Sequence, residues 1–256
     1  MSRPENLETE GVTIIDPSRD LVTLINVFTT KPGSQQAFVT AQTGEYKRLR
    51  GKIAGSLSAN LHRGLGGSKA ANYALFRSLE ALGTWQQSDL MKEHMPIILP
   101  YVERAQPDIY RAVDVVARNS RTARIEVAPG RAVLIAVMSG KPDSPGGLEA
   151  LLAGQREAAR KLLDALPALH AMVLHQGIAR TGTWTQGKLG HSPTAPPSPQ
   201  VALYAQVDGA EAARALMEHP AYRAAFTAEN PRIQSAEAEV YEVAFVQNDH
   251  PSPAAP

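Results

Sequence analysis

Hydrophobic and polar positions along this chain fall into two successive series with the same order. Residues 22–29 form a β-rich run that Lys31-Pro32-Gly33 ends, since proline and glycine break strands. Ser34 stands where a helix cap belongs, and a helical pattern continues to about Arg50. Two further strand-like runs, 56–63 and 70–77, are joined by Gly64-Leu65-Gly66-Gly67-Ser68, a hairpin connection. Residues 79–101 read as helical, with breaks expected at Gly83, Pro96 and Pro100, and 109–116 closes the series. The second series runs through a strand at 132–139, a helix at 147–165, strands at 170–180 and 201–207, a helix from Ala210, and a strand at 239–246.

The residues repeat along with the elements. Leu24-Ile25-Asn26-Val27-Phe28 returns as Leu134-Ile135-Ala136-Val137-Met138, and Leu61-His62-Arg63-Gly64 as Leu174-His175-Gln176-Gly177. The strand Ala70-Ala71-Asn72-Tyr73-Ala74 returns as Val201-Ala202-Leu203-Tyr204-Ala205, and Tyr110 as Tyr241. Matched blocks in one order point to an internal duplication. A strand-helix-strand-strand-helix-strand unit is the ferredoxin-like motif, an antiparallel sheet with helices on one face. The bare face of each sheet needs a cover, and two linked copies can supply it to each other. The expected fold is therefore α+β: two tandem ferredoxin-like units forming a pseudo-dimeric barrel within one chain. Residues 21–116 and 131–246 are the units. Residues 1–20 form an N-terminal extension, 117–130 a linker and 247–256 a Pro-rich tail expected to be disordered.

Composition narrows the function classes. The chain has 256 residues, with 26 basic and 25 acidic side chains and a net charge of +1, which leaves no basic footprint for nucleic acid. No run of 18 apolar residues suggests a membrane span. The N-terminus is polar and lacks a hydrophobic signal region, so a cytoplasmic location is expected. The absence of cysteine removes disulfides, thiolate nucleophiles and cysteine-metal sites. His94, His191, His219 and His250 show no ligand spacing with carboxylates, and no metal is expected. Gly64-x-Gly66-Gly67-Ser68-Lys69 mimics a phosphate loop but joins two strands, so it reads as a turn.

The strand Asn72-Tyr73-Ala74-Leu75-Phe76-Arg77-Ser78, followed by Glu80-Ala81, resembles the Asn-Tyr-Ala-x-Trp-x-Ser-x-Glu strand of the antibiotic biosynthesis monooxygenases. The two-copy arrangement is similar to the B-ring-opening oxygenases of atypical angucycline biosynthesis, those of kinamycin, jadomycin and gilvocarcin. The resemblance implies an oxygenase tailoring a polycyclic aromatic polyketide, a phenol or quinone, with molecular oxygen. For the ring-opening enzymes it further implies C–C cleavage with reduced flavin (FADH2 or FMNH2) as a diffusing cosubstrate from a separate reductase. Two alternatives stand beside this: a cofactor-free, anthrone-type enzyme that forms quinones, and an accessory protein that binds ligand or assists cyclisation without oxidation.

The same resemblance assigns roles. Asn72 matches the substrate-contacting asparagine, and Phe76 and Val207 occupy positions where tryptophan is usual. His62 matches a histidine at the interface between halves, and Tyr204 a tyrosine opposite it. Strand alternation puts Asn72, Ala74 and Phe76 on one face and Tyr73, Leu75 and Arg77 on the other. If the Asn72 face meets the helices, Asn72 can orient a phenol or carbonyl through its uncharged amide, and Phe76 can stack on a planar ligand. Because both copies keep the Leu-His-x-Gly frame, His62 and His175 read as interface hydrogen-bond partners, of Tyr204 and Tyr73 respectively. Trp184, in the long 181–200 insertion, is a candidate lid over the substrate; Trp85 reads as helix packing. Leu203 replaces Asn72 in the second copy, so the first half is expected to carry turnover and the second at most to modulate it.

Overall fold

The computed structural model describes residues 8–180, 184–185, 188–189 and 198–248, with side chains described for 11–179 and 198–248. The chain begins with short strands β1 (Glu8–Glu10) and β2 (Thr13–Ile15). Then follow β3 (Val22–Thr30), α1 (Gln35–Leu49), β4 (Ser56–Gly64), β5 (Lys69–Phe76), α2 (Leu79–Gln87), α3 (Asp89–Ile98) and β6 (Val102–Ala117). After β7 (Ala123–Ile125) the order recurs as β8 (Ala132–Gly140), α4 (Gly147–Ala165) and β9 (Leu169–Arg180). The two-residue strands β10 (Trp184–Thr185) and β11 (Lys188–Leu189) intervene before β12 (Gln200–Val207), α5 (Gly209–Glu218), α6 (Pro220–Phe226) and β13 (Ile233–Asn248).

Eight strands close into an antiparallel ring in the order β3-β5-β4-β13-β8-β12-β9-β6 and back to β3. The fold is α+β, with a closed barrel and helices packed on its outside. Two 16-residue strands effect the closure. β6 pairs with β3 along its first half and with β9 along its second, and Tyr110 registers with both Thr23 and Gly177. β13 does the same between β8 and β4, with Tyr241 opposite both Val133 and Gly64. Both strands are longer than the sequence pattern predicts. Their early stretches carry Arg104, Gln106 and Asp108, and Ser235, Glu237 and Glu239, which line a cavity of about 240 Å³ and so lack an apolar alternation.

Side-chain alternation sorts the core into layers. Ile25, Ala71, Tyr73, Leu75, Ile135, Val173, Ala202 and Tyr204 point into the barrel. Ala70, Ala74, Phe76, Leu203 and Val207 point outward to the helices. α4 buries Leu151, Leu152, Ala158, Ala159, Leu162 and Leu163, the spacing of a single helix face.

Each helical layer breaks at a capping residue. Gly83 and Pro96 lie inside α2 and α3, and Pro100 follows in a 3-10 turn, so none of the three expected breaks divides the region. The division falls at Ser88, whose hydroxyl donates to the Trp85 carbonyl at 2.7 Å and accepts from the Met91 amide at 3.2 Å. A side chain that satisfies both helix ends is a stronger stop than a glycine. His219 plays the matching part between α5 and α6, its Nδ1 accepting from the Ala221 amide at 3.1 Å just before Pro220.

The extension and the linker take part in the core. β2 and β7 pair antiparallel, and Ile15, Ala123 and Ile125 join the apolar interior of the barrel. β1 pairs in parallel with β13. Because β13 reaches Asn248, the first two residues of the expected tail are strand; 249–256 lie outside the described residues. Among the described residues no helix is long and apolar enough to cross a membrane.

Candidate active site

At the centre of the barrel four side chains form two hydrogen-bonded pairs. His62 Nε2 lies 2.9 Å from the Tyr204 hydroxyl, and His175 Nε2 lies 2.9 Å from the Tyr73 hydroxyl. The two tyrosine rings meet edge to face with centroids 5.3 Å apart. All four are fully buried. Burial pushes both histidines down to about 4 and both phenols up, so the set is neutral near pH 7. His175 Nδ1 donates to the Ala202 carbonyl at 3.3 Å, which leaves Nε2 to accept from Tyr73. His62 Nδ1 faces the Ala71 and Asn60 carbonyls without reaching hydrogen-bond geometry.

The Leu-His-x-Gly frame explains how these strands come so close. A Cβ on Gly64 would sit 2.6 Å from the Lys69 carbonyl oxygen, and one on Gly177 would sit 2.6 Å from Gln200 Cβ. Only glycine permits that approach without shifting the neighbouring strand. This network is symmetric, and its acceptors and donors face each other, which suits a structural role.

The outer face of the first half is different. Its apolar residues separate into two clusters, and the division falls at one level on every element. On β3 it lies between Phe28 and Leu24, on β5 between Ala70 and Ala74, and on β6 between Ala105 and Ile109. On α3, Met95 and Ile98 join one cluster while Leu90 and Met91 join the other. On α1 it falls between Tyr46 and Leu49. Polar residues occupy that level on three of the five, Asn26 on β3, Asn72 on β5 and His94 on α3, and on α1 the buried Gln42 and Glu45 come just before it. A polar seam thus runs between sheet and helices.

Asn26 and Asn72 are directly opposite each other in the β3–β5 ladder. Both amide oxygens are buried and without a hydrogen-bond partner. Both residues are nevertheless half-buried, although Ala70, Ala74, Leu24 and Phe28 around them are at most 8% exposed. The asparagines thus keep partial exposure while their amide oxygens are enclosed, and the residues above and below are closed off. Buried acceptors without donors are costly, about 1–3 kcal/mol each, and a ligand hydroxyl would relieve that.

A chain of charges leads into the seam from solvent. Glu93 is 62% exposed, Arg48 33%, Glu45 6% and His94 7%, and consecutive members are in contact. Arg48 grips the Glu45 carboxylate through two bonds of 2.8 Å, and the Oε2 that accepts from Arg48 Nη2 also meets His94 Nδ1 at 3.1 Å. Burial raises the Glu45 carboxyl, but Arg48 and His94 outweigh it and hold it below the usual carboxylate value. Burial lowers His94, and Glu45 offsets part of the fall. The Trp85 ring lies 6.1 Å from the imidazole.

Among the described residues the second half has no such seam. Ala136 faces Leu203 where Asn26 faces Asn72, and the outer face forms one uninterrupted apolar cluster. On α4 the buried Gln155 is tied to the Ala225 carbonyl at 3.3 Å and to Met138 Sδ at 3.4 Å.

Of the residues singled out in the sequence, Asn72 lies in the seam. Phe76 is 2% exposed and packed with Leu82 and Trp85 two positions along, so its ring is a wall of the core and not a free stacking face. Val207 is likewise packed inside the second-half cluster. The backbone of Trp184 pairs with Ala105 on β6; its side chain lies outside the described residues. Sequence reasoning missed Asn26, Gln42, Glu45 and His94. Asn26 was within reach, because the repeat replaces it by Ala136 as it replaces Asn72 by Leu203. Glu45 and His94 are 49 residues apart and carry no spacing signal.

Comparison with known proteins agrees with the asymmetry. Residues 21–96 match the family described as antibiotic biosynthesis monooxygenase. Every residue of the seam named above lies within that span. Among solved structures, an anthrone oxidase-like protein has a TM-score of 0.73 at 19% identity, covering 95% of this chain and 100% of its own. A candidate monooxygenase from Fusobacterium nucleatum subsp. nucleatum has a TM-score of 0.59 at 9% identity, covering 91% and 96%. One from Lactobacillus acidophilus has a TM-score of 0.55 at 8% identity, covering 90% and 97%. At these identities the structures speak for the fold. Among curated proteins, no sequence matches this chain. The general class supported is a monooxygenase-type enzyme with a domain related to the antibiotic biosynthesis monooxygenases.

Proposed function

We propose that the first-half seam binds a planar polycyclic phenol of the aromatic polyketide type, and that the protein oxidises an anthrone-like methylene to a quinone carbonyl without a bound cofactor. One observation carries this reading: the Asn26–Asn72 pair, with two buried amide oxygens that have no donor, set in an otherwise apolar face. A phenol supplies the missing O–H donors, and its flat ring suits the walls made by Leu24, Phe28, Ala70 and Ala74. Both amides also carry N–H donors, which can hold the oxyanion that forms before oxygen reacts. An oriented donor of this kind is worth roughly 2.7–4 kcal/mol in the transition state.

The chemistry balances with molecular oxygen alone. The methylene carbon loses both hydrogens and gains one oxygen atom, and the second oxygen atom leaves as water. We read the two halves as tandem ferredoxin-like units over residues 21–116 and 131–246, of which the second is a structural copy. The family match to the first half and the anthrone oxidase-like neighbour favour quinone formation over flavin-assisted ring cleavage.

Oxygen consumption with an anthrone, measured against the protein-free rate with and without reduced flavin, tests this. Flavin-independent uptake that falls in Asn72→Ala is the expected result. Uptake only with reduced flavin, with a ring-opened product, would replace it by the C–C cleavage reading. No uptake with any polycyclic phenol that binds would leave an accessory ligand-binding protein.

A further inference from the structure

We propose that His94, oriented by Glu45, is the base that takes the phenolic proton of a ligand held in the first-half seam. This rests on the seam being the binding pocket, and it adds a catalytic group that neither the sequence motif nor the Asn26–Asn72 pair supplies.

The geometry fixes the tautomer. A carboxylate only accepts, so the imidazole nitrogen 3.1 Å from Glu45 Oε2 must carry the hydrogen. The neutral ring then presents Nε2 as a lone pair, and among the described residues the hydrogen bond of this imidazole is the one from Nδ1 to Glu45. Nε2 lies on the ring edge away from the Nδ1 contact with Glu45, so it is separate from the charge chain that runs through Arg48 to Glu93. His94 stands where α3 changes from one apolar cluster to the other, between Met91 and Met95, as β3 and β5 do at Asn26 and Asn72.

The step is a proton transfer. The ligand O–H bond breaks, an Nε2–H bond forms, and the electron pair stays on the ligand oxygen as phenolate. Glu45 keeps its charge and holds Nδ1–H, so the imidazolium that results is paired with a buried carboxylate. The charged groups around His94 are Glu45 and Arg48 from α1 and Glu93 from its own helix; Trp85 from α2 is uncharged. Because burial keeps the free imidazole below its ordinary value, the ring is neutral and ready to accept near pH 7.

Alizarin is a suitable probe, since its phenolate absorbs at longer wavelength than its phenol. Titrating bound alizarin from acid to alkaline pH in the full-length protein reads ionisation without turnover. In the wild type the bound dye should ionise at a pH lower by about one unit or more than in His94→Gln. Glu45→Gln, a positioning variant, should lie between them, with a thermal melt confirming that each variant is folded. Alizarin that binds both proteins but ionises at the same pH overturns the base while leaving the pocket intact. Alizarin that fails to bind the wild type overturns the pocket, and the base with it.

Discussion

The two halves of the barrel share a strand order and a central His–Tyr network, yet their outer faces have opposite character. In the second half a single apolar cluster joins sheet to helices, with Ala136 and Leu203 at its middle. In the first half Asn26 and Asn72 take those positions and split the cluster in two. One face is built as a core and the other gives up core for a polar slot. Such a slot lowers stability through its unpaired amides, a loss expected where a site is built for a ligand. The interior, which both halves use equally, carries the shared structural work.

The largest test concerns that shared interior. His62 and His175 are neutral in the fold with pKa values near 4, against 6.5 when exposed. Between those values the unfolded chain binds more protons than the folded one, so acid favours unfolding. Stability should be full above about pH 6.5 and fall as the pH drops toward 4, by roughly 3 kcal/mol for each histidine. Urea melts across that interval measure it. A flat profile would mean that the rings are not held neutral in a dry interior.

Next in size is Leu203→Ala, which empties the middle of the second-half cluster. A loss of about 2–5 kcal/mol in stability is expected, with kcat unchanged once the protein is folded. The mirror change, Asn72→Ala, should leave the melting temperature within a few degrees but lower turnover on the order of 10²-fold. The two variants read opposite quantities, and a thermal melt beside oxygen consumption records both. Equal rate losses in the two would dissolve the distinction between the faces.

Smallest are the two tyrosine changes in the centre. Tyr73→Phe leaves His175 its bond to the Ala202 carbonyl, whereas Tyr204→Phe leaves His62 with no well-formed bond. Both should cost about 1–3 kcal/mol, with Tyr204→Phe the larger. A reversed order in parallel denaturation curves would contradict the bonding described for the two rings.

Much of this was legible in the chain. The matching Leu-His-x-Gly and Tyr-Ala blocks pointed to the succession of strands and helices, and alternation put Asn72 on one face of its strand and Tyr73 on the other. What stayed hidden has physical causes. The first halves of β6 and β13 carry polar residues toward a barrel mouth, so their strand pattern is masked. The break at Ser88 depends on a side chain bonding two helix ends, which weighs more than the glycine and proline nearby. Phe76 looked like a stacking surface because the sequence gives its face but not what packs on it. Glu45 and His94 come from different helices, and only the fold brings them to 3.1 Å.

The doubled use of β6 and β13 also sets the order in which the molecule can be made. β4 finds its outer neighbour only in β13, so Asn60 waits for Val246 nearly at the far end of the described chain. Until that strand leaves the ribosome, one edge of the first sheet stands open, with its backbone groups unpaired. Pairings this distant in sequence form slowly, and an open edge is where nascent chains pair wrongly. The first half thus completes its slot early but cannot lock it until β13 has emerged and paired with β4.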